Sequence, residues 1–548
     1  MSTASEALGP GHEIDKEAVP EHCEKLPDSK GFEGNQAQTI ISSYTGNPEW
    51  SPTEEKRLVR KIDLRLMSLL ALSYGLQYYD KALLGQAAIF GLRNDLHLDI
   101  GNRFSFSAAI FYLGFLVGAT PAVMLAQRYP IERVIFSVVC LWGVCLLCTI
   151  ACHNYQGLYA QRFALGVLES GVSPIFMMSV GAFYKRGEQV LRMGIWYSAT
   201  GFVAIFSPLI NYALGHIKSG PLPPWKYMYI VAGVITILWS FVLLQYFPPD
   251  PVNARGFTQR ERYIAIARLR INNSGVRDTH FKKEQVRELL VDIKFWLLFS
   301  IAFLGMIPNG PGSTFIPIII NGFGFSTLNT LLLNAPYGFI AGVGILCFSY
   351  TAYRVKNART LIMFSGYAMT IISSLLFWLL PKSQRGLLLF ACYIFPFWGA
   401  SFSLTMSYVP IYIPRPQLQI PVAQEWPRCM VLMHANLSQS PPSIRLCTAN
   451  TAGYTKRSLA SSGVFLGYCL GNFVAPLLFK SEDAPRYEPG FIAVIACCAA
   501  AGVLSLVYRY ICVWENRGRD RSGIAEAFDH AFDDDLTDIK NRQFRYGY

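Results

Sequence analysis

The stretch Leu66–Ala88 reads LMSLLALSYGLQYYDKALLGQAA, an apolar run that carries Asp80 and Lys81 near its middle. A second run, Gln156–Phe183, reads QGLYAQRFALGVLESGVSPIFMMSVGAF and carries Arg162 and Glu169. A helix of about 20 apolar residues crosses the ~30 Å of bilayer hydrocarbon, so both runs are long enough to span. A charge at mid-bilayer depth costs at least about 3 kcal/mol on insertion scales, so such residues face a protein interior or a wet cavity and act there. Two acids beside two bases, buried among apolar spans, point to proton-coupled movement of a charged solute.

The rest of the chain supports a polytopic membrane protein. Of 548 residues, 52% are hydrophobic and only 15% charged, against about 25% charged in soluble proteins. The sequence predicts an all-α membrane protein of about 12 transmembrane helices in two six-helix halves. The first six spans are Leu66–Ala88, Phe104–Ala126, Val134–Cys152, Gln156–Phe183, Met193–Ile217 and Trp225–Phe247. The next six are Phe295–Asn321, Leu328–Tyr350, Thr360–Leu380, Gly386–Ser407, Leu459–Phe479 and Gly490–Val513. The halves are residues 61–247 and 295–513, joined by a linker at 248–294 and flanked by tails at 1–60 and 514–548. The first tail is polar, reads as disordered and has no apolar core of a signal peptide, so insertion is expected to begin at the first span.

Loop charge sets the expected orientation. Arg128, Arg133, Lys185, Arg186, Arg192, Arg354, Lys356, Arg359, Lys456 and Arg457 follow even-numbered spans, and the linker is also basic. Both tails and the linker are therefore expected in the cytoplasm. The same distribution accounts for the net charge of +12 without nucleic acid, because the basic residues form loops rather than one face. Cys145, Cys148 and Cys152 have a CxxC-like spacing, but on one face of an apolar helix they read as small packing residues. Gly114 and Gly118, and Gly463, Gly467 and Gly471, recur every four residues, a pattern that brings helices close.

Several motifs then fall in order along the chain: YYDKALLGQAAIFGLRNDLHL from Tyr78, RFALGVLESGVSPIF from Arg162, FPPDPVNARGFTQRE from Phe247, NTAGYTKR from Asn450, and DDLTDIKNRQFRYGY from Asp534. Together they resemble the major facilitator superfamily, its anion:cation symporter branch, and within it the fungal allantoate/nicotinate permease group. One departure is the loop LAQRYPIERV, where only Arg128 and Arg133 keep the superfamily's usual basic pattern. The resemblance implies that Arg162 binds substrate and that Asp80 and Glu169 carry protons. Lys81 stands where relatives place a cation.

The residues themselves make the same chemistry plausible. Arg162 and Glu169 are seven residues apart, about two turns, and share a helix face. Desolvation favours a protonated carboxylate, whereas a nearby guanidinium keeps it charged. A substrate anion that draws the arginine away would favour protonation. Asp80 and Glu169 are the proton-coupling candidates, and Arg162, Lys81, Asn309 and Asn472 the substrate-binding ones. Gln77, Tyr78, Asn334 and Tyr337 are further expected cavity residues, although polar residues in spans also join helices. A structural ion pair between spans one and four is the competing reading of the four charges.

The expected function is proton-coupled uptake, across the plasma membrane, of a small organic anion such as nicotinate, pantothenate or allantoate. The alternatives are export of an acidic metabolite and a non-transporting sensor on the same scaffold. No nucleotide loop, metal cluster or nucleophile constellation is present, so neither enzyme activity nor a cofactor is expected. The partners are a small anion, protons and lipid; a monomer is expected. Residues 408–449 depart from all of this: Pro410, Pro414, Pro416, Pro421, Pro427, Pro441 and Pro442 exclude a continuous helix. The segment reads as an insertion, either a family-specific loop or, the favoured reading, translation through an unremoved intron. On the latter reading the chain as written has a displaced eleventh span.

Overall fold

Ser51 opens the first helix with a reciprocal cap. Its hydroxyl accepts the Glu54 N–H at 3.2 Å, while Glu54 Oε2 accepts the Ser51 N–H at 3.0 Å. The helix, α1 (Pro52–Ile62), buries Leu58, Val59 and Ile62. Residues 52–60, expected within a disordered tail, are instead helical, because the cap and this apolar face hold them. The computed structural model describes residues 44–185, 203–269, 282–401, 450–522 and 537–548, apart from 48, 218–219, 356–357, 382, 400, 453, 485 and 543, together with Glu188 and Arg192. The insertion at 408–449 lies outside the described residues.

A π-type turn carries α1 into α2 (Ser68–Ala87), the first predicted span, and the backbone leaves the helix at Gly91 with φ of 101°. The first half continues with α3 (Arg103–Arg128), α4 (Ile131–Cys148), α5 (Tyr155–Glu169), α6 (Val172–Phe183), α7 (Val203–Leu214) and α8 (Pro224–Tyr246). Two short linker helices follow, α9 (Gln259–Ala267) and α10 (Lys283–Val291). The second half has α11 (Ile293–Gly305), α12 (Ile316–Gly322), α13 (Thr327–Arg354), α14 (Arg359–Leu379), α15 (Arg385–Ile394), α16 (Tyr454–Leu477) and α17 (Glu488–Arg521). Among the described residues there is no strand, and seven helices are long and apolar enough to cross a membrane by themselves. With α2 and four shorter apolar helices, each predicted span contains helix over its described residues. Leu113, Val117, Leu141 and Leu238 point outward from the bundle, where only lipid satisfies them.

Two spans are broken, and both breaks place polar groups at depth. Span four stops at Glu169 and restarts at Val172, with Pro174 in the new first turn. Span seven is interrupted between α11 and α12 over a stretch that contains Pro308, Asn309 and Pro311.

Glycines set the closest crossings. A Cβ on Gly166 of α5 would collide with the Phe111 carbonyl of α3, and one on Gly114 with the Phe163 carbonyl of α5. Gly463, Gly467 and Gly471 of α16 meet Phe295, Phe299 and Phe303 of α11 rung by rung. The eleventh span is thus seated against the seventh. The displaced eleventh span expected on the intron reading is not seen, because this ladder seats α16 against α11.

The halves meet at mid-depth and at the end of the bundle away from the linker. Phe115 lies 6.1 Å from Phe465, Ser105 Oγ donates to the Phe479 carbonyl, and Arg93 reaches Ser481 Oγ at 3.3 Å. At the charged end, the ion pairs among the described residues stay within two separate groups. One ties α1 to the first half and α9 through Lys61–Glu261, Arg260–Glu54 and Arg192–Asp63, each at 2.8–3.0 Å. The other ties α10 to α16 and the segment Thr537–Tyr548.

Candidate functional site

Helix α2 divides the site by its faces. Gln77 and Lys81, one turn apart, look toward α5; Tyr78 and Ala82 look toward the second half; Gln86 bonds Ser207 and Asn211 of α7; Asp80 looks into the first half. Gln77 Nε2 donates to the Glu169 carbonyl at 3.1 Å, filling the acceptor freed by the break in span four. Lys81 Nζ lies 3.7 Å from Glu169 Oε2 and 5.4 Å from the ring centres of both Phe111 and Phe115. Its side chain is 25% exposed, whereas Glu169 is fully buried.

Arg162 is 4% exposed and lies 6.0 Å from the Phe111 ring centre. Among the described residues it pairs with no carboxylate, and its Nε donates to nothing. The geometry explains this. Two helical turns rise about 10 Å, so sharing a face with Glu169 does not bring the two together, and Lys81 takes the near position. The ion pair between spans one and four therefore exists, but through Lys81. Both oxygens of Asp80 and both of Glu169 accept no hydrogen bond. The Trp142 indole of α4 faces Asp80 without closing one.

Across the site, Asn309 Nδ2 donates to Asn472 Oδ1 at 2.5 Å and to Tyr112 Oη at 3.4 Å. Asn472 Nδ2 donates to the Tyr468 carbonyl at 2.9 Å. The two asparagines thus meet, and Tyr112 of α3 links them to the charged side, near Glu169 and Arg162. Sequence reading missed Tyr112; the only signal was a polar tip beside Phe111 in an otherwise apolar span. A separate cavity between the halves is lined by Tyr78, Gln86, Ser313, Asn334 and Tyr337, with Ala82, Ala204, Gly312 and Pro317. Of the expected cavity residues, Tyr78, Asn334 and Tyr337 line it, while Gln77 faces Glu169 instead. Sequence reading also missed the network behind it, in which Asn211 Oδ1 accepts a hydrogen bond from the Tyr79 hydroxyl at 2.9 Å and Asn211 Nδ2 donates to Gln86 Oε1 at 2.5 Å.

No group of His, Cys, Asp and Glu among the described residues is arranged to hold a metal. Cys145 Sγ donates instead to the Gln161 carbonyl at 3.4 Å, joining α4 to α5.

The sequence model of the Major Facilitator Superfamily matches residues 70–418, which include all four buried charges and Asn309. The chain belongs to the Major Facilitator Superfamily. An uncharacterized transporter of Schizosaccharomyces pombe is 33% identical over 91% of this chain and 90% of its own length. The thiamine pathway transporter of Saccharomyces cerevisiae is 30% identical over 92% of this chain and 88% of its own. The allantoate permease of the same yeast is 29% identical over 91% and 87%. Among solved structures, the xylose transporter of E. coli, in a partially occluded inward-open conformation, covers 81% of this chain at 14% identity with a TM-score of 0.55. That likeness concerns the fold. This superfamily member is thus a multi-pass membrane transporter of a small molecule, and its charge cluster sits among the first four spans.

Proposed function

We propose that this transporter takes up a small organic anion together with a proton. One observation carries the reading: among the described residues, Arg162 is buried without a carboxylate paired to it, in a charge cluster whose two buried carboxylates accept no hydrogen bond. A buried guanidinium left in that state suits a planar carboxylate, which it binds through two parallel N–H donors.

Charge balance gives the coupling. Asp80 and Glu169 against Lys81 and Arg162 sum to zero. A bound monoanion alone leaves the site at minus one, and a net charge at this depth is expensive. One proton restores neutrality. Glu169 is the proposed acceptor, because its protonation releases Lys81, whose partly exposed ammonium then turns to the substrate. Asp80 is the second proton site. Asn309, Asn472 and Tyr112 offer uncharged hydrogen-bonding groups opposite the charges and suit the rest of the substrate.

The basic loops gather at the linker end, which supports a cytoplasmic placement of that end and of both tails. A relative named allantoate permease supports a carboxylate substrate, and the proposed site of uptake is the plasma membrane. The thiamine pathway relative names a different solute area, so the anionic class rests on Arg162. The test is uptake of labelled nicotinate, pantothenate and allantoate by cells making the chain, at acidic and at neutral external pH. Faster uptake of one of them at acidic pH is expected. Uptake confined to cations, or indifferent to pH, would refute the reading.

A further inference from the structure

Residues Thr537–Tyr548 lie in a groove between α10, the starts of α11 and α16, and the protruding end of α17. Two asparagines hold this backbone. Asn516 donates to the Tyr546 carbonyl at 2.8 Å and accepts the Tyr546 N–H at 2.9 Å. Asn450 donates to the Gly547 carbonyl and accepts the Gly547 N–H, both at 2.8 Å. Each amide thus reads both backbone groups of one residue, as a neighbouring strand does.

Side chains complete the fit. Lys294 Nζ and the Arg519 guanidinium lie 4.5 and 4.6 Å from the Tyr546 ring centre. Arg509 lies 4.9 Å from that of Tyr548. Tyr546 Oη donates to Asp538 Oδ2 at 2.8 Å, and Arg519 donates to the Phe544 carbonyl at 2.6 Å. Beneath them the Lys456 ammonium, wholly buried, meets Asp538 Oδ1 and Glu288 Oε1 at 2.9 Å and Asp292 Oδ2 at 3.0 Å. Burial disfavours that charge, but the Asp538, Asp292 and Glu288 carboxylates outweigh it and hold the ammonium above its ordinary range. A raised lysine contributes fully below its unfolded value, about 10.4, so the Lys456 ammonium stays charged throughout the physiological range.

We propose that this groove is a peptide-binding site whose ligand is the chain's own Phe544–Tyr548 segment. Its occupancy fixes the charged ends of α11, α16 and α17 as one body. Helix α16 carries Asn472, and α11 leads directly into Asn309, so the docked segment sets the position of the amide pair that faces the buried charges. The proposal stands apart from proton coupling, because it concerns how the second half is held.

The test uses purified full chain, a chain ended after Gln543, and a fluorescein-labelled Phe-Arg-Tyr-Gly-Tyr peptide. Saturable binding to the shortened chain is expected, with none to the full chain, whose groove is filled. Asn450→Leu and Asn516→Leu together should remove binding from the shortened chain. Absence of saturable binding to a monodisperse shortened chain would overturn the proposal. If the shortened chain aggregates, limited proteolysis of full-length Asn516→Leu decides instead. Cleavage after Lys540, Arg542 and Arg545 should be faster than in the unaltered chain, and equal rates would overturn the proposal.

Discussion

Lys81 and Arg162 are both cations of the buried charge cluster, yet they stand in different states. Lys81 has a carboxylate at 3.7 Å, and Arg162 has none among the described residues. On the proposed function this divides their work: Arg162 receives the anion and Lys81 reports the protonation of Glu169. Arg162→Lys keeps the charge but loses the two-donor fork. Removing a hydrogen bond to a charged group is worth about 1.5–3 kcal/mol, so apparent affinity for the anion should fall about 10- to 100-fold. Concentration dependence of uptake, corrected for protein at the membrane, checks this; unchanged affinity would make Arg162 structural. Glu169→Gln keeps the shape and removes the titratable group, and should abolish accumulation driven by a pH gradient while the protein still inserts. Full accumulation by both Glu169→Gln and Asp80→Asn proteins would sink the proton-coupling part.

The helices were largely legible because the signals that define them are local. Apolar runs of span length predicted each one, and the four-residue glycine spacing predicted the contact made by Gly463, Gly467 and Gly471. Pairing was less legible. Sequence spacing put Glu169 on the face of Arg162, but the partner came from another helix at a depth that only the assembled bundle defines. Tyr112 and the docking of Tyr546 were missed for the same reason: each depends on one side chain meeting a distant helix, with no repeat to announce it. The glycine crossings themselves are testable. Gly166→Val pushes a side chain into the Phe111 carbonyl, and overpacking of this kind costs about 1–3 kcal/mol, so the melting temperature of the purified protein should fall. An unchanged melting temperature would mean that α3 and α5 sit further apart. Residues 408–449 pose a separate question at this scale. Since α16 is seated by its own glycine ladder and by Lys456 and Asn450, a chain that joins Ser407 directly to Asn450 should insert and transport at least as well. Loss of transport on that deletion would show a working loop. Transcript sequencing tests the intron reading, which a predominant message retaining the segment would refute.

At the scale of the whole molecule, contacts between the halves lie at mid-depth and at the end away from the linker, while the ion pairs of the charged end, among the described residues, bind each half to its own side. Two bodies held in this way can rock about the buried charges. The proposed rule is that they rock only when those charges sum to zero, either empty or loaded with one anion and one proton. Transport of a monoanion is then electroneutral and rises as the pH on the side of substrate entry falls. The most direct measurement is accumulation of a labelled monocarboxylate substrate in proteoliposomes under a pH gradient with the membrane potential clamped at zero, and under a potential with no pH gradient. Accumulation under the pH gradient, and none under the potential, is the predicted result; accumulation driven by the potential alone would contradict it.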